Sequence, residues 1–268
     1  MPVSEQALRS HRAAIQRGPD GPFVWGAFEE LLVPRRDPAD PRNPVIDRLL
    51  RELSAIQNRL TDLRTCALKL DWMRDLRDQA VLDPMSWMLF ASSDVTSFLA
   101  NLRALFDHLA RALRAAAPEP GGIPHQSFND LRKWVARSDI NQARQLGVWA
   151  RDLVREADWF DEVRMLRDEL LHYDAKAIVF PTERGISLQV YKQTRVLIAE
   201  RLLLGTNGLP SFERVASAAL SQTHVMLEEA AGGIAEALQV DDRGSGQSVH
   251  PGLGTIARWT DDLLTDLR

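Results

Sequence analysis

A chain of 268 residues with 45% hydrophobic and 26% charged side chains has a soluble, globular composition and the length for one large domain or a domain with appendages. The single cysteine, Cys66, excludes an internal disulfide framework and reads as a small core residue. The formal net charge of −4 excludes a broadly basic nucleic-acid binder, and no run of about 18 apolar residues is present to span a bilayer. The N-terminal stretch has no signal-peptide core, so the protein reads as cytoplasmic and without membrane contact. Charge is uneven: residues 205–268 hold nine acids and four bases, which leaves the first 204 residues close to neutral. An anionic ligand is expected to meet the middle of the chain.

Residues 1–42 read as an irregular arm, because "RGPDGPF" and "VPRRDPADPRNP" are breaker clusters around a short apolar piece, "VWGAFEELL". From Pro44 a helical period begins: Val45, Leu49, Leu53, Ile56, Leu60 and Leu63 share one face. Val95, Phe98, Leu102, Leu105, Leu109 and Leu113 predict a second helix over 92–116, ended by "APEPGGIP". Ser127 with Asp130 three residues on marks another helix start, "SDINQARQLGVWARDLVREA" reads as one further helix, and Asp158 followed by Asp161 offers a cap to the next. After Asp174 the period drops to two. "AIVF" and "ISLQVY" predict a β-hairpin turning at Gly185, followed by a helix over 211–238, a Gly/Ser-rich linker and a short terminal helix that either docks or swings free. The expected architecture is mainly α, an up-and-down helical bundle with one small hairpin. Its divisions are an irregular arm and long helix (1–85), a helical core with the hairpin near 176–192 (86–240), and a linker with its short helix (241–268).

The stretch "WFDEVRMLRDELLHYD" carries the chemistry. At about 100° per residue, Trp159, Val163, Leu166 and Leu170 make a complete core stripe, while Arg164, Asp168 and His172 fall on a separate polar stripe. Asp168 is placed to orient His172, and Arg167 lies about 140° around the axis from that imidazole. A phosphate near the helix end would be met by both. Spacing alone is weak evidence, since Arg103 and His108 repeat it, and Arg243 and His250 nearly do. Asp107, one residue off the second helix's stripe, is a further candidate for the same cleft; the alternative, for it and for His108, is a polar boundary between helices, and Asn101 and His108, seven apart, are expected to share another face. Arg132, Lys133, Arg137, Arg144, Arg151 and Arg155 either line one side of that cleft or are solvated. The seven tryptophans read as core. Zinc, P-loop and acyl-transfer motifs are missing, so neither metal nor cofactor is expected.

"LRDELLH" resembles the signature of the HEPN superfamily, an Arg, a polar residue, an apolar-rich helix and a His, onto which Arg167, Asp168 and His172 fall. The order "FLANLRALFDHLA", "SFNDLRKWV", "WF", "LRDELLHYD", then a hairpin, is similar to that of uncharacterised bacterial HEPN-like proteins. The resemblance spans Phe98 to Tyr191. It implies a homodimer with two such helices facing across a cleft. It further implies a metal-independent endoribonuclease in which the ribose 2′-hydroxyl attacks the adjacent phosphate, with His172 in proton transfer and Arg167 neutralising charge. RNA would be the substrate, in a toxin–antitoxin or antiviral setting with an antitoxin or defence partner. Other members are non-catalytic modules that bind a protein partner or nucleotide. The two readings differ in what they require: an open electropositive cleft for cleavage, salt-bridged or covered side chains for binding.

Overall fold

The computed structural model describes residues 4–16, 41–137, 139, 144–172, 178–182, 185–189, 203–205, 208–238 and 252–267, without the side chains of 14–16, 170–172, 178, 252 and 253. The fold is mainly α, with one two-stranded antiparallel sheet among the described residues. Its frame is a long helical hairpin, α2 (Asn43–Asp78) and α3 (Pro84–Ala116). The stripe of α2 is buried at Ile46, Leu49, Leu53, Ile56 and Leu63 and continues through Cys66, Ala67, Leu70 and Met73. Burial pushes the Cys66 thiol up to about 11, which fits a core residue rather than a reactive one. Helix α3 begins eight residues before the expected Ser92, because Asp83 caps it by accepting the N–H groups of Met85 and Ser86 at 3.1 and 3.0 Å and Pro84 fills the first turn. In the turn, Ala80 adopts φ 55° while the Val81 N–H donates to Leu76 O and the Ala80 N–H to Arg77 O, both at 2.9 Å, a Schellman ending.

Polar ties cross this hairpin. Glu52 meets His108 Nδ1 at 2.8 Å and Arg59 donates to Asn101 at 2.6 Å. One rung lies seven residues from the next in each helix and in opposite directions, as antiparallel helices with near-heptad packing require. Lys69 and Asp94, at 2.5 Å, close the other end. Asn101 and His108 thus share one face, as expected, and it is the face toward α2, the polar boundary read for His108.

Helix α4 (Phe128–Arg137) starts as expected: the Asp130 N–H donates to Ser127 Oγ at 3.1 Å and the hydroxyl donates to the Asp130 carboxylate at 2.7 Å. The single helix expected over 138–157 is instead interrupted, because Gly147 adopts φ 91°; α5 spans Val148–Glu156. Helix α6 (Trp159–His172) follows, then strands β1 (Ile178–Thr182) and β2 (Gly185–Gln189). Thr182 pairs with Gly185, so the turn falls where the glycine predicted it. Gly185 is required there twice over: its φ is 151°, and a Cβ would lie 2.5 Å from the carboxylate of Glu213.

Helix α7 (Phe212–Leu238) is buried along most of its length and packs on α3, α5 and β2. The arm, expected to be irregular, contains a helix, α1 (Glu5–Gln16), and the tail helix α8 (Gly252–Asp266) is docked. Among the described side chains Ala7, Leu8 and His11 form the buried face of α1, a stripe too short to read through the breakers that follow. Arg12 Nε and Nη2 donate to Asp261 of α8 at 2.7 and 2.8 Å, and Thr255 and Arg258 of α8 both meet Asp71 of α2. One buried apolar cluster runs from Leu8 to Leu263. The piece "VWGAFEELL", the linker over 241–251 and the Arg243–His250 pair lie outside the described residues.

Two adjacent glycines of α7 differ in surroundings. Gly232 faces open space, whereas a Cβ on Gly233 would enter the indole of Trp149. Gly232→Ala is therefore expected to stabilise the fold by about 0.5–1 kcal/mol through lower unfolded-chain entropy and better helix propensity. Gly233→Ala is expected to destabilise by about 1–3 kcal/mol through overpacking. Thermal melts of the two variants check the opposite signs.

Candidate functional site

Helix α6 is held by aromatic packing. Trp159, Phe160, Val163 and Leu166 are buried, which confirms the core stripe as far as Leu166; the side chains of Leu170 and His172 lie outside the described residues. Phe106 of α3 is the hub, with ring centroids 5.2 Å from Phe128, 5.3 Å from Trp159 and 5.0 Å from Phe160. These contacts fix α4 and α6 against α3 and leave the polar stripe of α6 half-exposed.

On that stripe three guanidinium groups converge on one carboxylate. Arg167 Nη1 donates to Asp168 Oδ1 at 2.7 Å, Arg103 Nη1 of α3 to the same oxygen at 3.3 Å, and Arg164 Nη1 to Oδ2 at 3.5 Å. All four side chains keep between a fifth and a third of their exposure. A second knot anchors the start of the helix, where Arg132 of α4 pairs with Asp158 at 2.9 Å and Asp161 at 2.7 Å. The Asp158 side chain thus serves an inter-helix ion pair, where a helix cap was expected. Arg132 is tied into the scaffold, while Lys133, Arg137, Arg144 and Arg155 are exposed and Arg151 is half-buried.

Arg167 and Asp168 are brought together as adjacent partners. Asp107 is engaged at a helix terminus: its carboxylate accepts the Phe128 N–H at 3.0 Å and holds the first turn of α4. The Arg103–His108 pair shows what the Arg-x4-His spacing does on a helix. Arg103 turns to Asp168 on one neighbour and His108 to Glu52 on another, as a separation of about 140° dictates. Sequence reasoning set Arg103 aside as a chance match, and it is the third guanidinium of the cluster. No local pattern reveals that role, because its partner stands 65 residues away.

Of the tryptophans, Trp87, Trp159 and Trp259 are buried and Trp134 and Trp149 pack against the core, but Trp72 is 60% exposed. The described residues contain no group of three or more potential metal ligands and no helix long and apolar enough to cross a membrane. Comparisons of the chain with family models, with curated proteins and with solved structures find no match.

Proposed function

We propose that the chain is a HEPN-like helical module that pairs with a second copy through the α6 region and acts by binding a protein partner or nucleotide rather than by cutting RNA. The observation that supports this reading is the 2.7 Å pairing of Arg167 with Asp168, reinforced by Arg103 and Arg164. A guanidinium so engaged must give up a charge-assisted hydrogen bond before it neutralises a phosphoryl oxygen. Asp107 is committed to a helix terminus in the same way.

The ribonuclease reading keeps one specific support. Three guanidinium groups share the Asp168 carboxylate at a partly exposed surface, Arg164 also reaching Asp161 at 3.5 Å, on the helix that also carries His172. In that reading the imidazole moves the proton of the attacking 2′-hydroxyl and Arg167 receives the charge that develops on phosphate. The deciding measurement is cleavage of single-stranded RNA in EDTA by wild type, Arg167→Ala and His172→Ala, matched for circular dichroism and melting temperature. The binding module is expected to leave RNA intact in all three. Cleavage by wild type that His172→Ala abolishes would overturn it in favour of the nuclease. Light scattering checks assembly, and a stable monomer at micromolar concentration removes the composite cleft from both readings.

A further inference from the structure

The other end of the α2/α3 hairpin holds a cleft that neither reading uses. The last two turns of α3 lie beside the first turns of α2, and the segment after α3 folds back across them. Arg48 and Arg51 of α2, Arg111 and Arg114 of α3, and His125 surround a cavity of about 240 Å³, room for roughly eight waters.

The lining is one-sided in charge. Glu52 is its one acidic member, and that carboxylate is occupied by His108 at 2.8 Å and Arg111 at 3.4 Å. Arg114 is steered by its Nε donating to the Pro120 carbonyl at 3.2 Å. Arg48 and Arg51 are exposed and make no ion pair among the described residues. Four guanidinium groups thus surround one engaged carboxylate, in a chain of net charge −4. Helix polarity accounts for cations at the end of α3 but gives none to Arg48 and Arg51, which lie near the beginning of α2. Like charges gathered on a concave wall repel, and an anion seated among them reverses the sign of that interaction.

We propose that this cleft binds the phosphoryl group of a small phosphorylated ligand, at a site separate from the Arg167–Asp168 cluster. Forked guanidinium groups match phosphate oxygens in pairs, which a row of ammonium groups would not do. The volume suits a phosphoryl head group and lies below the roughly 300 Å³ at which pockets enclose drug-sized molecules. The edges argue against a polymer. Between Arg51 and Thr61 the exposed residues of α2 are Ser54, Gln57, Asn58 and Thr61, Arg59 is paired with Asp62 at 3.0 Å, and the exposed neighbours of Pro120 are Glu119 and Gly121, so no run of unpaired cations continues from the cleft along these edges to carry a phosphodiester backbone.

Calorimetric titration of the full chain in low salt tests this, with inorganic phosphate, pyrophosphate and glucose 6-phosphate as probes and a single-stranded RNA oligonucleotide as the polymer. Wild type is expected to bind at least one of the three small probes with a saturable isotherm. Saturation by the sugar phosphate places the site's ligand among phosphomonoesters, and saturation by the inorganic probes alone makes free phosphate or pyrophosphate the ligand. Arg48→Ala/Arg51→Ala is expected to weaken that binding at least tenfold with an unchanged melting temperature, since both side chains are exposed; Arg114→Gln is the second variant if the first fails to fold. Arg167→Ala is expected to leave it intact, which separates the outcome from that of the α6 site. Absence of saturable binding at millimolar probe overturns the proposal, as does equal affinity in wild type and the cleft variants. Binding of the oligonucleotide alone, lost in Arg48→Ala/Arg51→Ala, replaces the small ligand with RNA and overturns it too.

Discussion

Phe106→Ala is expected to lower folding stability by about 3–5 kcal/mol, the largest loss from any single side chain around α6. The ring is fully buried and contacts three other aromatic residues from α4 and α6, so its removal deletes their common partner and leaves a void that three separate elements would have to move to fill. The same helix supplies a control in Phe90, 55% exposed, whose change to alanine is expected to alter stability by no more than about 0.5 kcal/mol. Urea unfolding of the two variants makes the comparison. A loss in Phe106→Ala as small as that in Phe90→Ala would mean that the aromatic hub does not hold α4 and α6 in place. With the hub weakened, Asp168 should also lose its bond to Arg103, because the helices that carry them are joined by the same packing.

The second large effect concerns pH. His11 lies between α1 and α7, its ring 5.4 Å from that of His224, and burial, then His224 and Arg64, lower its pKa to about 3. Glu213 sits beneath the hairpin, where burial raises its carboxyl to about 7 against the opposing hydrogen bonds from the Ile186 N–H and Ser211 Oγ and the charge of Arg74. The two shifts act in opposite directions. As pH falls below 6.5 the unfolded chain takes up a proton at His11 that the folded chain refuses, so stability is lost toward pH 3. As pH rises above 4.5 the unfolded chain releases a proton at Glu213 that the folded chain keeps until about 7, so stability is lost in that direction. Each slope is about 1.4 kcal/mol per pH unit, and from 4.5 to 6.5 they cancel. Glu213→Gln is expected to unmask a stability that rises with pH across that window, and His11→Leu one that falls. Urea midpoints at pH 4.5, 5.5 and 6.5 check this, and three parallel profiles would show that neither group is folded in its neutral form.

Local rules carried much of the fold. The stripes of α2, α3 and α6, the Ser127 cap and the Gly185 turn were legible because each depends on residues within a few positions of one another. What escaped the sequence depends on distant partners. Among its described side chains helix α1 has three buried residues to announce it, and it is stabilised by α7 and α8, about 200 residues on and more. The candidate site divides in the same way. Arg167 and Asp168 stood out by the motif they match in its context, not by spacing, but the pairing that ties up Arg167 competes with the chemistry the motif suggests, and no motif encodes that competition. Asp107 was a polar residue on a promising helix, and its use as a cap for Phe128 is visible only once α3 and α4 are side by side. The arginines of the cleft come from segments some 60 residues apart and form no pattern in the linear chain.

The contact between α1 and α8 bears on the order of assembly. Helices α2 and α3 are joined by a turn of five residues, 79–83, and bury their facing stripes through it, so their union demands little search. Arg12 and Asp261 are 249 positions apart. Closing a loop of that length instead of a five-residue one costs roughly 3–4 kcal/mol more in chain entropy. That cost falls only after the interior elements have collapsed and brought the ends near each other. The bidentate bond between them is therefore a latch that closes last and opens first, and the earliest amide exchange under native conditions is expected in α1 and α8, ahead of any loss of protection in the central hairpin.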